Sequence, residues 1–141
     1  MADFEGIPGR TELAKTIGFS ISDFRPGSCV VECTIEDKHL NMGGVAHGGI
    51  HATLLDTAMG GTLVSLLSEE EWCATAQLDV SYLNSVGTGV RLIASAEVVR
   101  RGRNIAHVEG RLDSEEGVKV ATAKGTWAIW DSRPKSQNGS Q

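Results

Sequence analysis

One acidic side chain stands out as a candidate for chemistry. Asp56 is the sole Asp, Glu, Lys or Arg between Lys38 and Glu69, and it falls in the most apolar stretch of the chain, GGIHATLLDTAMGGTLVSLL. Burying an ionised carboxylate without partners costs several kcal/mol. An acid in such a stretch is therefore held by a core hydrogen bond, turned outward on a one-sided helix, or used. On a helix its same-face neighbours are Ala52, Thr53, Met59 and Gly60. Ala52 and Gly60 are small and leave a hollow around the carboxylate. A carboxylate so placed can attack a carbonyl or take a proton from water.

The second candidate precedes it. His47-Gly48-Gly49 stands where the apolar stretch begins. A helix starting there points free N–H groups outward, and its dipole favours negative charge. Glycine lets a ligand approach those groups without side-chain obstruction. Such a site can hold a carbonyl oxygen as it becomes an oxyanion. The bland alternative is that the glycines only turn the chain into the helix; the acid two turns later favours function. His47 and His51 share a helical face, but Asp56 lies five residues from His51 and no third ligand has helical spacing, so no metal site is expected. His47 is expected to pack at the helix start and His51 near a subunit interface. His107 reads as structural and His39 as a loop residue.

A third cluster is basic. Arg100, Arg101, Gly102, Arg103 and Asn104 form RRGRN at an expected hairpin tip. Guanidinium groups beside an open glycine backbone suit phosphate oxygens, although a solvated tip would look the same.

The elements that must hold these residues are legible in outline. Residues 11–17 read as a short helix, with Thr11 able to cap it and Gly18 to stop it. Strand candidates at 19–24 and 29–35 flank a Pro26-Gly27 turn. Residues 48–67 are apolar nearly all round and read as a buried helix of roughly 30 Å. Gly60 and Gly61 weaken it and are expected to admit another backbone. Strand patterns follow at 75–83, 90–99, 105–112 and 118–130, with glycine-containing turns at 84–89, 101–104 and 113–117. Short turns between consecutive strands imply antiparallel pairing. The whole is α+β: one curved antiparallel sheet around one long helix, with a second subunit completing the cover.

The chain has 141 residues, the size of one domain, with 40% apolar residues to form a core. Its net charge of -5 makes it a poor non-specific binder of nucleic acid or anionic membrane. Cys29, Cys33 and Cys73 form no disulfide framework, and no uncharged apolar run approaches the roughly 18 residues of a membrane span. The start, MADFEGIPGR, does not read as a signal peptide. A cytoplasmic single domain over residues 1–130 is expected, followed by a disordered polar tail at 131–141. The Asn138-Gly139-Ser140 sequon in that tail reads as chance.

Taken together, NMGGVAHGGI followed by Leu55-Asp56, with LDVSYL at 78–83 and the Arg101-Gly102-Arg103 turn, resembles acyl-CoA thioesterases of the PaaI type in the hotdog-fold superfamily. The resemblance covers roughly residues 10–130. It implies that Asp56 attacks the thioester or activates water, and that the Gly48 N–H polarises the thioester oxygen. Asn41 would position the water or the acyl carbonyl, and Thr75 would hold water near the acid. It further implies that Asp56 and the facing Gly48 come from different subunits of a homodimer, with two dimers forming a homotetramer. His47, Gly49 and the turn residues Arg101, Gly102, Arg103 and Asn104 would meet the acyl-CoA. No cofactor is implied, because coenzyme A is part of the substrate. Some relatives carry Glu at position 56 and Ser or Thr at position 60, so in this chain the water-holding task would fall to Thr75 or be left vacant. The alternatives are a hotdog hydratase acting on an acyl thioester and a non-catalytic acyl-CoA binding module.

Overall fold

A computed structural model describes residues 9–133. Residues 134–141, with the 138–140 sequon, lie outside the described residues, and so do residues 1–8. Of the expected tail, residues 131–133 are described, and all three are exposed. Arg133 Nε donates to the Glu69 carbonyl at 3.1 Å, and its guanidinium stands 5.2 Å from the Trp72 ring centroid.

Helix α1 spans Glu12–Ile17. Thr11 accepts from the Ala14 N–H, and Gly18 ends the helix at φ 91°. Strands β1 (Phe19–Arg25) and β2 (Ser28–Thr34) form a hairpin through Gly27, which takes φ 85°. Helix α2 spans Gly48–Val64. Strands β3 (Trp72–Tyr82), β4 (Arg91–Arg101), β5 (Ile105–Ser114) and β6 (Lys119–Trp130) complete one antiparallel sheet of order β1-β2-β4-β5-β6-β3. This is the α+β hotdog arrangement, with the sheet curved around α2.

Three expectations change. Strand β3 does not pair with β4, its neighbour in sequence; it lies beside β6 at the sheet edge. The segment after β3 is drawn away by other partners. Leu83 N–H donates to Val120 O, Ala46 N–H to Val86 O, Ile35 N–H to Val90 O and Gly89 N–H to Ile35 O. These bonds carry the chain from the β6 side across to β2, where β4 begins.

Helix α2 is also shorter and more one-sided than its composition implies. It has 17 residues, ending where Ser65 Oγ donates to Thr62 O and accepts from Gly27 N–H. His51, Leu54, Leu55, Ala58, Met59, Thr62 and Leu63 are buried, spaced as one helical face. They pack on Val31, Leu92, Ala94, Val108, Leu112 and Trp127 of the sheet. The opposite face, with Ala52, Thr53, Asp56, Thr57 and Gly60, is only half-buried within one chain.

Gly60 and Gly61 admit side chains, not a backbone. A methyl group at Gly61 would lie 2.5 Å from Cys29 Sγ, and one at Gly60 would lie 3.3 Å from the Trp127 indole nitrogen. The remaining histidines also settle. His39 is buried in a 3-10 turn (Asp37–His39), accepting at Nδ1 from Glu36 N–H and bonded through Nε2 to Ile17 O. His51 is buried inside the chain, with its ring edge-on to Tyr82. His107 is exposed on β5. Trp127 is core, Trp72 is half-buried and Trp130 is exposed.

Candidate active site

The start of α2 is assembled by the loop before it. Leu40 and Ala46 form a bridge that closes residues 41–45 into a tight turn, with Gly44 at φ 82°. Asn41 Oδ1 accepts from Gly43 N–H at 2.9 Å and from Val45 N–H at 3.3 Å. With its oxygen spent on the backbone, the exposed Asn41 amide has only its NH2 group left to offer a ligand.

His47 caps the helix. Its Nδ1 accepts from Gly49 N–H at 2.8 Å, and its carbonyl accepts from Ile50 N–H. A neutral imidazole that accepts at Nδ1 carries its proton on Nε2. Glycine at 49 makes room for the cap, since a methyl group there would lie 2.9 Å from Nδ1. The Gly49 amide is thus committed. The Gly48 N–H, first of the helix and without an intrahelical acceptor, is among the described residues the uncommitted donor of the pair.

Eight residues on, about 12 Å along the axis at 1.5 Å per residue, stands Asp56. The Thr75 hydroxyl of β3 donates to its Oδ1 at 2.7 Å. Among the described residues Oδ2 has no protein partner. Asp56 is half-buried and Thr75 exposed, so the pair opens onto the uncovered face of α2. The acid is therefore less enclosed in one chain than its apolar sequence context implies. Burial first, and then the Asp56 carboxylate, push the Cys73 thiol up to about 11. That thiol is no nucleophile at neutral pH.

The arginine turn stands apart from this group. Arg101 forms an ion pair with Glu71, just before β3 begins. Hydrogen bonding from the Ser68 backbone, then Arg101, holds the Glu71 carboxyl below its usual range. Gly102 N–H donates to Ile105 O, and a methyl group at Gly102 would lie 2.9 Å from that oxygen, so the tip requires glycine. Asn104 O accepts from Ile129 N–H, while Arg103 is exposed. Glu71 and Thr75 are four strand residues apart, about 13 Å. The turn thus sits at one end of β3, with the acid along the strand.

Sequence reasoning treated Tyr82 only as a landmark. Its hydroxyl donates to Gly48 O at 2.8 Å, and a methyl group at Gly48 would meet its ring at 3.2 Å. A β-bulge hides this from the sequence. Thr75 and Tyr82 are an odd number apart and would face opposite sides of a regular strand. The register shifts between Thr75 and Gln77, and both side chains reach α2.

Residues 43–121 match the model of the thioesterase superfamily. The chain is 29% identical over 106 residues to human acyl-coenzyme A thioesterase 13, covering 74% of this chain and 68% of that protein. A hypothetical thioesterase protein of Streptococcus pneumoniae, solved with coenzyme A, superposes with a TM-score of 0.74 at 28% identity, over 82% of this chain and 88% of that one. A mutant structure of the phenylacetic acid degradation protein PaaI of Thermus thermophilus superposes with a TM-score of 0.77 at 26% identity, over 84% and 98%. Sequence and fold agree: the chain belongs to the thioesterase superfamily.

Proposed function

We propose that the chain hydrolyses the thioester bond of an acyl- or aryl-CoA, releasing free acid and coenzyme A. One observation carries this reading. A free helix-start amide and an acid with one free oxygen lie on the same helix, about 12 Å apart along its axis. A carbonyl group needs its oxygen near 3 Å from the amide and its carbon within about 3.5 Å of the attacking atom. No single carbonyl satisfies both from one helix, whereas a second copy can bring its Asp56 to the first copy's Gly48. The means for pairing are present. Among the described residues, strand β3 is an open edge with an unpaired row of backbone groups, and the half-buried face of α2 lies beside it.

In this site the thioester oxygen accepts from Gly48 N–H. The Asn41 NH2 and the His47 Nε2–H supply further donors, and Gly49 keeps the approach clear. Asp56 of the other copy attacks the carbonyl carbon or draws a proton from water held beside Thr75. On the water route, breaking the C–S bond expels the coenzyme A thiolate, which takes up that proton. On the direct route the thiolate leaves as an acyl anhydride forms on Asp56, and water then hydrolyses the anhydride, freeing the acid, restoring the carboxylate and giving a proton to the thiolate. Each well-aimed donor to the developing oxyanion is worth about 3–4 kcal/mol. The Gly102 tip, with Arg103, Asn104 and the Glu71-tethered Arg101, is assigned to the phosphates of coenzyme A. The proposal extends to a homotetramer of two such dimers in the cytoplasm, without metal or cofactor. Its support there is the family resemblance and three buried, unpaired cysteines. No helix among the described residues is long and apolar enough to cross a membrane.

The test is a panel of aryl- and alkyl-CoA esters with thiol detection, run on wild type and Asp56→Asn. Thiol release from wild type alone is expected; equal release from both rejects the role of the acid.

A further inference from the structure

We propose that Tyr82 is a positioning residue for the carbonyl-binding end of α2. The inference rests on the hydrolase reading above and adds to it a residue outside the acid and amide pair. The peptide joining Gly48 to Gly49 is gripped at both ends: its oxygen accepts from the Tyr82 hydroxyl at 2.8 Å, and its nitrogen donates to His47 Nδ1 at 2.8 Å. Two consecutive glycines have the widest backbone freedom of any pair, so an unclamped helix start here would sample many orientations. The Gly48 N–H belongs to the preceding peptide, whose His47 carbonyl accepts from Ile50 N–H. The two peptides meet at the Gly48 Cα, so holding the second restricts how far the first can turn and steadies the aim of the Gly48 N–H.

The ring of Tyr82 completes the support. It lies against Gly48, where an added methyl group would meet Cε1, Cζ and the hydroxyl oxygen at 3.2 Å. Its other neighbour is the buried His51 ring, with centroids 5.8 Å apart and planes at 66°. Within one chain Tyr82 remains 54% exposed, and its hydroxyl is spent on the Gly48 carbonyl. The β3 bulge brings Tyr82 to the same side as Thr75. One edge strand therefore holds both halves of the chemistry, the acid through Thr75 and the amide through Tyr82.

Tyr82→Phe removes the hydroxyl and keeps the ring. On the best ester of the panel, kcat is expected to fall about fivefold or more while KM stays within about twofold, because the lost bond governs aim and not substrate contact. Melting temperature and oligomeric state should be those of wild type, and the Gly48 carbonyl carbon and Gly49 amide nitrogen shifts should move in NMR spectra. An active wild type with Tyr82→Phe equal to it in kcat overturns the positioning role alone. A kcat loss matched by a lower melting temperature or by dissociation also overturns it, since Tyr82 would then be structural. A wild type inactive on every ester, with Asp56→Asn no different, overturns the hydrolase reading and this role with it.

Discussion

Asp56 and Thr75 meet through one hydrogen bond to one carboxylate oxygen. Asp56→Asn keeps the shape and still offers an oxygen to the Thr75 hydroxyl. It is expected to leave melting temperature and assembly unchanged while turnover falls about a hundredfold or more, read by thiol release. Turnover above about a tenth of wild type would remove Asp56 from the mechanism. His51 supports a pH prediction of its own. Burial holds its pKa below the ordinary 6.5, so the folded chain binds this proton less readily than the unfolded one. The contribution of His51 to stability is complete above the unfolded value and is lost as pH falls through 6.5 toward the folded value. Melting temperature should drop between about pH 7.5 and pH 5, and His51→Gln should flatten that part of the drop. An unchanged slope in the variant would assign the drop to other groups.

Among the elements, α2 sits on the sheet as closely as its glycines allow. Gly61→Ala would drive a methyl group to 2.5 Å from Cys29 Sγ. A cost of about 1–3 kcal/mol is expected, seen as a lower melting temperature. Cys29→Ala in the same chain should recover part of it; no recovery would place the strain elsewhere. The same scale explains what the sequence discloses. The start of α2 was legible because His47, Gly48 and Gly49 bear the marks of a helix entry, and Asp56 because no other acid shares its stretch. Strand β3 was legible as a strand but not as an edge, since its place depends on distant bonds from residues 83–90 to Ala46, Val120 and Ile35. Tyr82 was hidden for a similar reason. One extra residue at the bulge reverses the alternation that pattern reading relies on. Arg101 read as a free cation, and nothing local in the sequence pairs it with Glu71, 30 residues earlier.

For the whole molecule, the two-copy reading predicts complementation. Asp56→Asn lacks the acid, and Gly48→Val obstructs the amide. Each alone should be nearly inactive. Co-refolded in equal amounts, they should form mixed dimers carrying one intact site, with about a quarter of wild-type activity if copies mix at random. No recovery, with mixed dimers verified by mass spectrometry, would place acid and amide within one copy.

The open rim of the sheet has a further consequence. If β3 both braces the reacting groups and joins two copies, the catalyst is second order in itself. Where copies separate, activity per volume falls with the square of protein concentration, and saturating ligand pulls the copies back together by mass action. Abundance in the cell would then act as a throttle on turnover, with no separate regulatory site required.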